Sequence, residues 1–190
     1  MSFVYDKYLT FEQFASISDS IRDNTGKFTE YSNGEIIYFS PKARHSVSIN
    51  NIIALLRNKL PNKCVAISEL HIKFSEKEYR VPDVSVFCGK DIEDKYNNDL
   101  LYLETPKLIF EVLSEGTEKN DKEYKMRLYA EKGIEEYILV DYNNNTVEQY
   151  YLNDNKYKLN KRYENDDVCK LLLYPEVKFI TSDIFNLFLK

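Results

Sequence analysis

Leu108-Ile109-Phe110-Glu111-Val112-Leu113 is an apolar run broken by one carboxylate. A short run of this kind, rich in branched residues, reads as a strand buried on both faces. Alternation places Ile109, Glu111 and Leu113 on one face and Leu108, Phe110 and Val112 on the other. An ionised carboxylate held in such a strand without a partner costs several kcal/mol, so a cation must face it: a Lys, an Arg or a metal ion. The competing reading is an edge strand with Glu111 in water.

Upstream of this run, Cys64 to Ser68, Leu70 to Phe74 and Val84 to Cys88 also read as strands, being apolar and β-branched. Earlier still, Thr10-Phe11-Glu12-Gln13 is a capping-box pattern that predicts a short helix through about Ile17. Phe28-Thr29-Glu30-Tyr31 and Glu35-Ile36-Ile37-Tyr38-Phe39 flank Ser32-Asn33-Gly34, and Asn-Gly supplies the positive φ values of a type I′ hairpin. After Pro41, the near-helical spacing of Val47, Ile52, Leu55, Leu56 and Leu60 predicts a long amphipathic helix through about Leu60. Downstream, Asn120-Asp121-Lys122-Glu123 has the form of a helix start and Gly133 suits its end. Tyr137 to Asp141 reads as a buried strand. Val147 to Leu152, Lys156 to Tyr163 and Val168 to Leu173 suggest an antiparallel meander, and Ser182 to Leu189 a terminal helix. Many strands and few helices, without strict alternation, predict an α+β domain around a central mixed sheet, spanning residues 1–190 as one unit.

With 26 basic against 31 acidic residues and a net charge of −5, the chain is a poor candidate for holding nucleic acid through bulk positive charge. A local basic patch, or a metal offsetting clustered carboxylates, stays open. No stretch approaches the ~18 apolar residues of a membrane span, and Met1-Ser2-Phe3-Val4-Tyr5-Asp6 lacks the flank and core of a signal peptide. The expectation is a cytoplasmic protein without a membrane segment. Cys64, Cys88 and Cys169 form no metal-ligand spacing and are odd in number, so they are expected to be reduced, half-buried strand residues.

Two further features bear on chemistry. Asp83, behind Pro82, heads the strand from Val84; if that strand neighbours the one carrying Glu111, two carboxylates converge in a set suited to Mg²⁺ or Mn²⁺. Asp121, Lys125 and Tyr129 stand at i, i+4 and i+8 and project from one helix face, which brings Lys125 over the carboxylates or leaves a surface Asp121–Lys125 pair. His45, near the start of the long helix, is placed to face such a site, whereas His71 reads as a strand residue. No nucleophile elbow or Gly-rich phosphate loop occurs. Two acids and a lysine suit phosphodiester hydrolysis.

Val81-Pro82-Asp83-Val84-Ser85-Val86 and Pro106-Lys107-Leu108-Ile109-Phe110-Glu111-Val112-Leu113-Ser114 resemble the Uma family of endonucleases, a branch of the PD-(D/E)XK, or restriction-endonuclease-like, superfamily. The similarity continues through Thr117, Asp121, Lys125 and Tyr129 to Gly133-Ile134-Glu135-Glu136-Tyr137 and Val140-Asp141, and upstream through Glu30, Gly34-Glu35, Ser40-Pro41 and His45. The resemblance implies an α/β/α-type sandwich with additional antiparallel strands, a Mg²⁺-dependent (or Mn²⁺-dependent) site, cleavage of DNA and a homodimer. By position, Asp83 and Glu111 match the metal ligands. The superfamily's lysine stands two residues after the second acid, where this chain has Leu113; Lys125 on the next helix is the match. Glu30, His45, Asp121 and Tyr129 are candidate auxiliaries, and Glu35 is a further acid on the same hairpin. Two other functions fit these residues: a nuclease-fold module that binds nucleic acid or protein without cleaving, and a metal-dependent hydrolase of small phosphate esters.

Overall fold

In a computed structural model, which describes residues 3–4, 8–40, 42–114, 116 and 118–188, the 108–113 run lies in the middle of a sheet. Pro41, Thr117 and Leu189 lie outside the described residues. In chain order the elements are β1 (Phe3–Val4), α1 (Phe11–Thr25), β2 (Phe28–Ser32), β3 (Glu35–Phe39), α2 (Ala43–Arg57), β4 (Cys64–Ser68), β5 (Ile72–Ser75), β6 (Glu78–Arg80), β7 (Val84–Cys88), α3 (Ile92–Asn97) and β8 (Leu108–Val112). A π-helical segment, Asn120–Lys125, runs into α4 (Met126–Glu131). Then come β9 (Glu136–Asp141), β10 (Thr146–Asn153), β11 (Lys156–Glu164), β12 (Val168–Lys170) and β13 (Lys178–Ile180).

The larger sheet has the order β11-β10-β9-β8-β7-β4 and is mixed, because β8 and β9 run parallel while its other pairs are antiparallel. Its two faces bury what alternation along β8 predicts. Leu108, Phe110 and Val112 pack with Ile49, Ile52 and Leu56 of α2. Ile109 and Leu113 pack with Leu128 and Tyr129 of α4. Glu111 therefore sits on the α4 face of a central strand, 2% exposed, and the edge-strand reading fails.

A smaller antiparallel sheet, β1-β3-β2-β6-β5, is covered by α1 through Phe11 and Phe14 against Tyr31, Ile36 and Tyr79. The predicted capping box forms at Thr10 and Gln13. The helix then runs to Thr25 rather than Ile17, where Gly26 takes φ 68°; its second half is polar, and the Ser18 hydroxyl is instead held by Thr29 at 2.6 Å. Asn33 and Gly34 carry the positive φ values of the expected hairpin, 48° and 96°. The short link Val81-Pro82-Asp83 joins β6 of the small sheet to β7 of the large one, so Asp83 lies at their junction.

Four local expectations are corrected. Cys64 and Cys88 are disulfide-bonded, not reduced: they are direct partners across the antiparallel β4–β7 pair, with Cα atoms 4.1 Å apart. Cys169 is free and buried. The third meander strand leaves its neighbours, because β12 pairs with β13 in a separate two-stranded sheet. The terminal helix is a 3₁₀ turn, Thr181–Ile184. The helix before α4 already includes Glu118, whose N–H donates to the Ser114 carbonyl at 2.9 Å, so Asn120 does not cap it. No helix among the described residues is long and apolar enough to cross a membrane.

Candidate active site

β7 and β8 pair through Val84↔Phe110, and one further step of that register sets Asp83 opposite Glu111. The Asp83 carboxylate is held by the Val112 N–H, which donates to Oδ2 at 2.6 Å, and by His45 Nε2 at 3.3 Å. His45 reaches it from the first turn of α2. β2 and β6 bring Glu30 from the small sheet, and the π-helical turn brings Asp121 and Lys125 from above. Lys125 Nζ stands 3.1 Å from Glu111 Oε1, 3.1 Å from Glu30 Oε1 and 3.2 Å from Asp121 Oδ1. The Tyr129 hydroxyl donates to Glu111 Oε1 at 2.7 Å, and the Tyr137 hydroxyl to the Asp121 carbonyl at 3.1 Å.

Seven of the residues singled out in the sequence therefore gather in one place: Asp83, Glu111, Lys125, Glu30, His45, Asp121 and Tyr129 are each buried. Except for Tyr129, they line a single cavity of about 530 Å³. Glu35 is exposed on the hairpin and takes no part. His71 stands just before β5 with its Nε2 3.1 Å from the Ser18 hydroxyl, and is likewise outside the site.

The electrostatics follow from several acids buried close together. Burial, with the negative charges of Asp121, Asp83 and Glu30, pushes the Glu111 carboxyl well above its usual range despite Lys125. Burial works against Lys125 as well, but Asp121, Glu111 and Glu30 outweigh it and hold the ammonium protonated, with its pKa well above the ordinary value. Burial opposes Glu30 too, yet Lys125 and Arg80 keep it below the usual carboxylate range. His45 loses some basicity to burial and regains more from Asp83, ending above its ordinary value.

The carboxylates that line the cavity are Asp83 and Glu111, with Glu30 and Asp121 beside Lys125. Among the described residues, no three His, Cys, Asp or Glu side chains stand in the geometry of a metal-ligand group.

Arg80 and Glu78 were missed in the sequence. Arg80 donates to Glu30 Oε2 at 3.1 Å and to Glu78 Oε2 at 2.8 Å, and is 1% exposed. The available signal was Glu78-Tyr79-Arg80, which alternation sets as an acid–base pair on one strand face just before Asp83.

Comparison with known proteins agrees with this architecture. The family model Uma2, described as "Putative restriction endonuclease", matches residues 10–181. The chain is 31% identical over 147 residues to the uncharacterized protein slr1290 of Synechocystis sp., which covers 75% of each protein. Its fold is similar to a crystal structure of "a putative nuclease belonging to DUF820" from Anabaena variabilis, with a TM-score of 0.74 at 22% identity, covering 93% of this chain and 97% of that one.

Proposed function

The chain belongs to the Uma2 family, and from that premise we propose that it is a metal-dependent endonuclease that hydrolyses phosphodiester bonds of DNA. The observation that carries the reading is Lys125 Nζ within 3.2 Å of three buried carboxylates on the wall of the cavity that Asp83 also lines.

Mg²⁺ or Mn²⁺ fits this donor set, because four carboxyl groups line the cavity against two lysines, Lys42 and Lys125, and the raised Glu111 carboxyl marks an excess of negative charge that a hard divalent cation relieves. Asp83 and Glu111 would hold the ion. When bound, it polarises a phosphoryl oxygen and lowers the pKa of a water ligand. The rest of the work falls to the chain. Lys125, kept protonated by its acids, orients the attacking water or stabilises charge on the phosphorane. Tyr129 and Lys125 together fix the rotamer of Glu111 through Oε1. His45 and the Val112 N–H fix Asp83 through Oδ2. The negative walls make DNA binding depend on the cation and on ionic strength.

A catalytically silent nuclease-fold module is the second reading, favoured by the direct pairing of Lys125 with Glu111, Glu30 and Asp121. Nicking of supercoiled plasmid in Mg²⁺ or Mn²⁺, with EDTA as control, separates the two. Metal-dependent nicking that disappears in a folded Asp83→Ala variant supports cleavage at this site. Cleavage retained in that variant contradicts the assignment, and a well-folded wild type that neither nicks nor binds Mn²⁺ favours the silent module.

A further inference from the structure

A lysine carried on a helix, rather than on the strand that bears the acid, needs something to hold that helix in place. The π-helical turn Asn120–Lys125 carries Tyr124 next to Lys125. The Tyr124 ring lies over the Arg80 guanidinium, 4.8 Å from ring centroid to Cζ. Its hydroxyl donates to Glu78 Oε1 at 2.7 Å. Glu78 Oε1 also accepts from Ser32 at 3.0 Å and Asn33 at 3.1 Å, on the β2–β3 hairpin. Its other oxygen accepts from Arg80, whose second amino group holds Glu30 Oε2. Glu30 then presents Oε1 to Lys125.

We propose that Glu78, Arg80 and Tyr124 form a latch that positions Lys125, clamping the π-helical turn onto the small sheet and holding Glu30 as one wall of the lysine's seat. None of the three touches Asp83 or Glu111, so they are positioning residues. The inference rests on the proposed role of Lys125. The guanidinium is the centre of the latch: one end serves the lysine's acid, the other serves the tyrosine's acceptor, and the flat face carries the ring. Lysine cannot reproduce that fork. A π-helical turn is also a place where a helix is wider and less regular than its neighbours, so side-chain ties on it set where its residues point.

The test uses Tyr124→Phe, which keeps the ring over Arg80 and removes only the hydroxyl, beside Arg80→Lys, with Lys125→Met and the Tyr124→Phe/Lys125→Met double variant. Hydrogen exchange read by mass spectrometry should quicken over residues 119–126 in Tyr124→Phe, with β8 and β9 unchanged. Plasmid cleavage should lose about 10- to 100-fold in kcat with KM retained, as expected for a misplaced group. In the Lys125→Met background the same change should cost nothing more, because the latch acts through the lysine. Unchanged exchange over 119–126, or a loss that persists undiminished in the double variant, overturns the latch. If the wild type cleaves nothing, exchange alone decides the latch, and it is the nuclease reading that falls.

Discussion

Glu111 on β8 and Glu136 on the adjacent parallel strand β9 are both buried carboxylates, 2% and 0% exposed, yet they are satisfied in opposite ways. Glu136 accepts from the backbone N–H groups of Leu172 and Leu173 at 3.1 Å and from the Gln149 amide at 2.6 Å. Gln149 accepts in turn from Asn160 and Tyr163, both at 2.8 Å. Its donors are neutral and fixed. Glu111 shares one oxygen between Lys125 and Tyr129 and is crowded by Asp83, Asp121 and Glu30. Burial raises both carboxyls, so burial does not distinguish them. Company does: Glu136 ties the 171–173 segment to the sheet, whereas Glu111 sits in a charge imbalance that an added cation relieves.

The largest expected effect is on cleavage. Glu111→Gln should lower plasmid nicking by on the order of 10³-fold while the thermal melt is unchanged or shifts upward, because a poorly compensated buried charge is removed. Lys125→Met should lower nicking by about 10²-fold. Unlike Glu111→Gln, it should also destabilise the fold by about 3 kcal/mol in urea unfolding, since Glu30 and Asp121 lose their cation. A gain in stability there would break the comparison.

These assignments were legible to different depths. Glu111 announced itself as one charge in an apolar run, and Asp121, Lys125 and Tyr129 as one helical face, because both signals are local periodicities. The hairpin was written in Asn33-Gly34 and the start of α1 in Thr10 and Gln13. Contacts between distant segments had no such signature. Arg80 is tied to Glu30, fifty residues away in sequence, and its role depends on the small sheet folding over the helix. The Cys64–Cys88 disulfide, across a separation of 24 residues, needed the β4–β7 register to be seen. Val168 to Leu173 was apolar enough to read as a strand, but nothing in it said that its paired part, Val168–Lys170, lies against Lys178–Ile180 rather than β11.

On the Glu136 side, the expected effects are on stability alone. Glu136→Leu strands two backbone donors and an amide, and should cost about 3 kcal/mol in urea unfolding with nicking per folded molecule intact. Reducing the Cys64–Cys88 bond frees a 24-residue separation in the unfolded chain and should cost at most about 3.5 kcal/mol, again without loss of nicking. The smallest effect is in pH. Burial raises Glu136 above its ordinary 4.5, so its contribution is fully present below that value and is lost as pH rises through the folded-state pKa. Wild-type stability relative to Glu136→Gln should fall over that window, by no more than about 1.4 kcal/mol per pH unit. A difference that stays level with pH would mean that the backbone donors fully offset the burial.

The most direct measurement is supercoiled-plasmid nicking in Mg²⁺ and in Mn²⁺ by wild type, Glu111→Gln and Glu136→Gln side by side, each checked for folding by circular dichroism. The account predicts metal-dependent nicking by wild type and by Glu136→Gln, and nicking lowered on the order of 10³-fold in Glu111→Gln. Equal nicking by folded Glu111→Gln and wild type would contradict it, and would move the chemistry away from β8.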